Sequence, residues 1–210
     1  MANTRGPILV VEDIPNVLEL LEVTLRFQGY EVISAHNGEE ALNILEAQTP
    51  ALIISDILMP KLDGFSMIQK LRVNPKTQNI PVIFLSATYV TPEDREFAMN
   101  LGASRFIEKP IDTEDFLLTI AELLSQEHIT IPGPLPQPQF YSGYRARLET
   151  KLQHKNRQIA RIERLLPTLD PDQKESFKTL YEQALRDRDE IRVELDAIKE
   201  AIKNLHRNEQ

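Results

Sequence analysis

Cysteine is missing from all 210 residues of the chain. Its absence excludes disulfide frameworks, thiolate zinc sites, iron–sulfur clusters and cysteine nucleophiles. Long apolar runs are missing too: the longest, such as Ile8–Val11 and residues 51–54, are far shorter than the ~18 residues that a membrane span needs. No signal peptide is recognisable in the first residues. We therefore expect a cytoplasmic protein with no membrane association.

Positive charge is scarce in the first two thirds of the chain. Residues 1–139 carry 9 Lys and Arg against 19 Asp and Glu, whereas residues 140–210 carry 15 against 13. An acidic front part argues against nucleic-acid binding through a broad basic surface there. The asymmetry predicts two units with different roles.

Short apolar runs alternate with helical patterns through the acidic part. Five such repeats in about 125 residues predict a parallel sheet with helices on both faces and ligands at the carboxyl ends of the strands. The predicted strands cover residues 8–11, 30–34, 51–55, 82–85 and 105–107. The predicted helices cover residues 15–28, 38–48, 65–74, 92–101 and 113–126, the last with Asp112 as its N-cap.

Prolines punctuate the next segment, at positions 132, 134, 136 and 138. This spacing predicts a stiff, extended spacer, because each proline fixes φ and lacks an N–H. We therefore divide the chain into a first domain over residues 1–128, a Pro-rich linker over 129–139 and a helical region over 140–210.

The helical region has apolar residues at alternating spacings of three and four. Residues 166–167 end a first helix, and Asp170 followed by Pro171 begins a second, so the pattern predicts an antiparallel helical hairpin of coiled-coil type. A two-helix hairpin has a thin core, so we expect it to pair with another copy as a homodimer or higher oligomer.

Three carboxylates follow the predicted strand ends. Glu12 and Asp13 come after the first strand and Asp56 after the third, and these strand ends are neighbours in a doubly wound sheet. Clustered carboxylates call for a hard cation such as Mg²⁺. Ser86 ends the fourth strand and Lys109 follows the fifth, and a hydroxyl and an ammonium at this rim complete a set of groups that binds a phosphoryl group.

These segments together resemble the receiver domain of two-component response regulators, over residues 7–125. The resemblance is carried by the motifs at 10–13 (VVED), 55–60 (SDILMP) with Asp63 and Gly64, 85–87 (LSA) and 108–110 (EKP). It implies a flavodoxin-like α/β fold, a doubly wound five-stranded parallel sheet of order 2-1-3-4-5, here followed by the all-α hairpin. It also implies a cis peptide before Pro110.

The resemblance implies a role for each site residue. Asp56 would accept a phosphoryl group from a histidine kinase, with Mg²⁺ held by Asp13, Asp56 and the carbonyl of Leu58, and by Glu12 through water. Lys109 and Ser86 would bind the phosphoryl oxygens. Ser86 and Phe106 would form the switch, with Phe106 moving from an exposed to a buried position. The resemblance thus implies that the chain is not an enzyme and catalyses only its own phosphoryl transfer and dephosphorylation.

The output is predicted less directly. We expect the hairpin to signal through contacts with a downstream protein, without nucleic acid. Two alternatives remain: a transcriptional regulator that binds DNA through the basic helix over residues 144–166, and a phosphorelay protein that uses His154. The basic helix can instead meet the acid-rich second helix, for example at Asp187.

An apolar Leu58 cannot orient an attacking water, so we also expect a long-lived phosphoryl state, unless Thr88 positions that water.

Overall fold

The computed structural model describes residues 6–87, 91–126 and 129–208. The chain forms two compact units, Met1–Leu135 and Pro136–Gln210. None of the helices formed by the described residues combines the length and apolarity needed to cross a membrane.

The first unit is a five-stranded parallel sheet of order β2-β1-β3-β4-β5, as the sequence predicted. Each strand is followed by a helix, and the reversal of strand order falls between β1 and β3. The strands are β1 (Ile8–Val11), β2 (Val32–Ala35), β3 (Leu52–Asp56), β4 (Val82–Ser86) and β5 (Arg105–Glu108). The helices are α1 (Pro15–Phe27), α2 (Gly38–Ala47), α3 (Gly64–Val73), α4 (Pro92–Asn100) and α5 (Thr113–Ser125).

The three central strands are buried along their whole length. Every residue of β1, β3 and β4 is buried, because helices cover both faces of the sheet. Side-chain caps fix where the helices begin: Asn37 caps α2, Asp63 caps α3 and Asp112 caps α5. Thr91 and Asp94 form a capping box at α4. These caps set the starts of the helices and leave the strand ends free for the site.

Strand register determines which polar groups meet at the carboxyl edge. Val11 of β1 pairs with Ser55 of β3, so the residues that follow them, Glu12 and Asp56, are neighbours. Ser86 of β4 pairs with Glu108 of β5, and Lys109 comes next. A parallel sheet thus brings side chains nearly a hundred residues apart in sequence to one edge.

The second unit is an antiparallel hairpin of α6 (Gln137–Leu165) and α7 (Pro171–Asn208), joined through a short 3₁₀ helix over Leu166–Thr168. Side-chain hydrogen bonds show that the two helices run antiparallel. Tyr144 near the start of α6 contacts Glu194 of α7, whereas Glu163 near the end of α6 contacts Tyr181, earlier in α7. Lys155 and Asp187 pair between these points. The seam contains eight buried side chains: Phe140, Tyr144, Leu148, Ile159, Ile162, Ala184, Ile191 and Leu195.

Two features of this unit bear on the sequence predictions. The helix α6 begins at Gln137, inside the stretch predicted as linker, because a proline at position 138 falls in the first turn, where its missing N–H is not needed. Lys155 donates to Asp187 of α7 over 2.9 Å, so this basic residue of α6 meets the acid-rich helix. His154 is exposed.

Candidate functional site

Three carboxylates gather at the carboxyl edge of β1 and β3. Oxygens of Glu12, Asp13 and Asp56 lie within 4.8 Å of one another, as the strand ends predicted. Glu12 is 1% exposed and Asp56 is 8% exposed, whereas Asp13 is only partly buried. Buried carboxylates at this spacing repel each other and need positive charge nearby.

Lys109 supplies part of that charge. Its Nζ donates to Oδ1 of Asp56 over 2.7 Å and to Oε2 of Glu12 over 2.8 Å. The peptide bond between Lys109 and Pro110 is cis, which agrees with what the family resemblance implied. The lysine thereby joins the end of β5 to the ends of β1 and β3.

The surroundings of Asp56 change its acidity. Burial raises the pKa of this carboxyl to about 6, although the charge and hydrogen bond of Lys109 lower it. Burial lowers the pKa of Lys109, but the attraction and hydrogen bonds of Asp56 and Glu12 outweigh burial and raise it overall. At pH 7.5 the carboxylate of Asp56 is therefore ionised and Lys109 is charged. Keeping this buried carboxylate ionised costs free energy of folding, and an added cation would reduce that cost.

The predicted residues Leu58 and Ser86 also lie near Asp56. The N–H of Leu58 donates to Oδ2 of Asp56 over 2.9 Å, whereas Lys109 donates to Oδ1 of the same carboxylate. Sequence reasoning assigned only the carbonyl of Leu58 and missed this N–H contact. Ser86 is buried at the end of β4, the strand beside β3. Thr88 lies outside the described residues.

Phe106 of β5 is buried, with 7% of its surface exposed. Its movement on phosphorylation stays a prediction. The guanidinium of Arg95 lies over the ring, 5.3 Å from its centre, and also contacts Glu108 over 3.2 Å. Arg95 was missed in the sequence because nothing in the pattern shows which α4 side chain reaches β5. Its cation–π contact covers the ring.

The donor set suits a hard divalent cation. Three carboxylates meet at this edge, and Lys109 forms ion pairs with two of them, Glu12 and Asp56. Oxygen ligands of this kind are those that Mg²⁺ prefers. The residues that would hold such an ion are Glu12, Asp13 and Asp56, and the ion would supply Lewis-acid charge beside the Asp56 oxygens.

Comparison with known proteins agrees with this geometry. A probable transcriptional regulator, ycf27 of Porphyra purpurea, is 39% identical over 124 residues, which are 59% of this chain and 49% of that protein. The chain thus spans about half the length of that relative. A signal receiver domain of a histidine kinase from Syntrophus aciditrophicus is 37% identical with a TM-score of 0.54, over 60% of this chain and 97% of that one.

A further solved structure bears on the acidic edge. The receiver domain of sensor histidine kinase PA1611 from Pseudomonas aeruginosa has a magnesium ion coordinated in its active-site cleft; it is 28% identical, with a TM-score of 0.54, over 58% of this chain and 98% of that one. The response regulator receiver domain family matches residues 8–121, more than half of the chain. The protein therefore belongs to the response regulator receiver family.

Proposed function

We propose that the protein accepts a phosphoryl group on Asp56 from a histidine kinase. The observation that carries the proposal is the position of this carboxylate, with Lys109 on one oxygen and the N–H of Leu58 on the other, beside Glu12 and Asp13. A nucleophilic carboxylate needs ionisation and a cationic environment for the incoming phosphoryl oxygens. With a pKa of about 6, Asp56 is ionised at pH 7.5, and Lys109 together with a bound Mg²⁺ would supply the positive charge.

The transfer involves one bond formed and one broken. An oxygen of Asp56 attacks the phosphorus of a phosphohistidine, the P–N bond breaks, and its electron pair stays on the departing imidazole, which takes a proton from solvent. Lys109 neutralises charge that develops on the phosphoryl oxygens. Mg²⁺ held by Glu12, Asp13 and Asp56 would supply further positive charge at this site. The PA1611 receiver, with its magnesium ion, supports the assignment of Mg²⁺ to this chain.

The phosphoryl group acts next on the switch residues. Its oxygens accept a hydrogen bond from Ser86, drawing the end of β4 toward Asp56. Phe106 on the neighbouring strand then repacks, and Arg95 follows because it lies over the ring. A local gain of charge thus biases a two-state element.

The output in this proposal is contact with a downstream protein through the helical hairpin, which also pairs with a second copy of the chain. Its support is the thin seam of the hairpin and the exposed apolar side chains Leu180 and Val193 on α7. We propose no catalysis beyond the chain's own phosphorylation and dephosphorylation, and a cytoplasmic location. Molar mass in solution with and without beryllofluoride tests the assembly.

DNA binding is the second candidate for the output. It is favoured by Arg157, Arg161 and Arg164, which are exposed on α6, and by the name of the Porphyra relative. A phosphate-binding helix would give an affinity that falls steeply with salt. Mobility-shift measurements on the full chain at 50 and 200 mM salt separate this candidate from protein contact.

The phosphorylation test uses acetyl phosphate with Mg²⁺ and intact-protein mass spectrometry. We expect one phosphoryl group on the wild-type chain, bound in an acid-stable and base-labile form at Asp56. Asp56→Asn should take up none, and the matched control Asp115→Asn, altered at an exposed carboxylate of α5, should behave as wild type. Absence of label on the wild-type chain would overturn the proposal.

A further inference from the structure

The segment after α5 lies against the first unit instead of leaving it as a free tether. Ile129 packs against the hydrophobic core of the sheet and its helices. The carbonyl oxygen of Leu135 accepts a hydrogen bond from Nε2 of Gln69 on α3, over 2.9 Å. Between these points, the carbonyl oxygen of Pro132 approaches Gly102, in the turn from α4 to β5. We call residues 129–135 the strap.

The contact at Gly102 depends on the absence of a side chain. Gly102 has φ +94°, and a Cβ there would lie 2.7 Å from Nε of Arg72 and 3.1 Å from the oxygen of Pro132. Arg72 is 1% exposed, and its guanidinium donates to the carbonyls of Gly102 over 2.8 Å and Gln78 over 3.0 Å. The turn is therefore tied to α3 directly beneath the strap.

The prolines of the strap favour an extended backbone that suits these contacts. Each residue that precedes a proline is biased toward extended backbone, and in a polyproline II segment residues three apart share a face. Pro132 and Leu135 have this spacing, which in such a segment would place their two carbonyls on one face, ~9 Å apart. A stiff segment loses little conformational entropy when it docks.

The two anchors of the strap lie on different elements. Gln69 belongs to α3, whereas Gly102 follows the end of α4. A shift of α4 relative to α3 therefore separates the anchors. The docked arrangement also leaves two buried polar atoms, Oε1 of Gln69 and Nε of Arg72, without a hydrogen-bond partner among the described residues. Buried polar atoms without a partner lower the stability of the arrangement that buries them.

We propose that the strap is docked on α3 and the α4–β5 turn while Asp56 is unmodified, and that phosphorylation releases it. This inference rests on the proposed function, because it takes Asp56 as the phosphoryl acceptor. Arg95 of α4 lies over Phe106, so repacking of the ring after phosphorylation moves α4 and the Gly102 turn with it. Since α6 begins two residues after Leu135, release frees the start of the output helix.

A spin label reports on the strap directly. The chain has no cysteine, so Gly133→Cys gives one labelling site, at a position where an added side chain meets open space. In the full chain with Mg²⁺ we expect a restricted label, and beryllofluoride should raise its mobile fraction. The same label in an Asp56→Asn background should not respond. A label that is equally mobile before and after beryllofluoride binds would overturn the inference.

A second variant tests the Gln69 anchor without relying on the phosphoryl mimic. Gln69→Met keeps the size of the side chain but removes the donor to Leu135, and should raise the ratio of mobile to restricted label about two- to tenfold. By linkage the apparent affinity for beryllofluoride should also rise, by at most the same factor. The matched control is Gln48→Met, at an exposed position after α2, which should change neither quantity.

The two proposals fail in different ways. If ¹⁹F NMR shows no beryllofluoride bound at Asp56, the proposed function fails, and the coupling part of the inference fails with it. If beryllofluoride binds but the label at position 133 does not change, only the inference fails. Equal label mobility in Gln69→Met and Gln48→Met would show that the Gln69 contact does not hold the strap.

Discussion

Replacing Asp56 by asparagine should stabilise the first unit at neutral pH. Burial raises the pKa of this carboxyl from 3.8 to about 6, so the folded chain favours the protonated form. This preference adds to the free energy of unfolding; the contribution is complete below pH 3.8 and disappears as the pH rises through 6. A shift of about two pKa units corresponds to about 3 kcal/mol. Asparagine resembles the protonated acid and avoids that loss.

The expected gain therefore depends on pH. In EDTA, Asp56→Asn should be more stable than wild type by about 3 kcal/mol at pH 7.5 and by less than about 1 kcal/mol at pH 4. Hydrogen exchange of the buried amides of β1 and β3 measures this, because they exchange through global opening of the unit. Asp115→Asn is the control, expected to match wild type. A variant no more stable than wild type at pH 7.5, or a gain independent of pH, would refute the reasoning.

Three further predictions concern Lys109, Leu58 and Arg95. Lys109→Met leaves Glu12 and Asp56 without their shared cation, so labelling by acetyl phosphate at pH 7.5 should slow by about 10²-fold. The wild-type phosphoryl group should persist for minutes or longer, and Leu58→Asn should shorten its half-life about tenfold by orienting water, as followed by mass spectrometry; a wild-type half-life of seconds would contradict this. Arg95→Ala should cost less than about 1 kcal/mol in urea unfolding and expose Phe106 to solvent.

The sheet and the acidic cluster were predictable because, in a parallel sheet, the order of strands along the chain indicates where the end of each strand lies. Once the strands are recognised, their carboxyl ends must share one edge, and Glu12, Asp13, Asp56 and Lys109 follow from that rule. The strand and helix boundaries of the first unit differ from the predicted ones by at most two residues; for example, Asp56 is the last residue of β3 instead of the first after it. Such shifts do not change which edge a side chain occupies.

The contacts missed were those that depend on side-chain direction or on a docked segment. The reach of Arg95 to Phe106 depends on how α4 lies on β5, which apolar periodicity does not encode. The strap was read as a spacer because proline spacing reports stiffness, and stiffness is the same for a free and a docked segment. The packing of Ile129, the donor on Gln69 and the close approach at Gly102 distinguish the two.

Magnesium should reverse most of the stability difference between wild type and Asp56→Asn. Burial penalises the ionised carboxylate of Asp56, and protonation removes that penalty below pH 6. A bound magnesium ion attracts the ionised carboxylate and so offsets the same penalty at higher pH. An ion at about 100 times its Kd adds about 2.7 kcal/mol to the folded state, close to the ~3 kcal/mol that the buried charge costs at pH 7.5. Titrating Mg²⁺ into both proteins should therefore raise the stability of wild type until the two differ by less than about 1 kcal/mol, with Asp115→Asn following wild type and EDTA restoring the gap. Equal gains in wild type and Asp56→Asn would mean that the ion does not bind through Asp56.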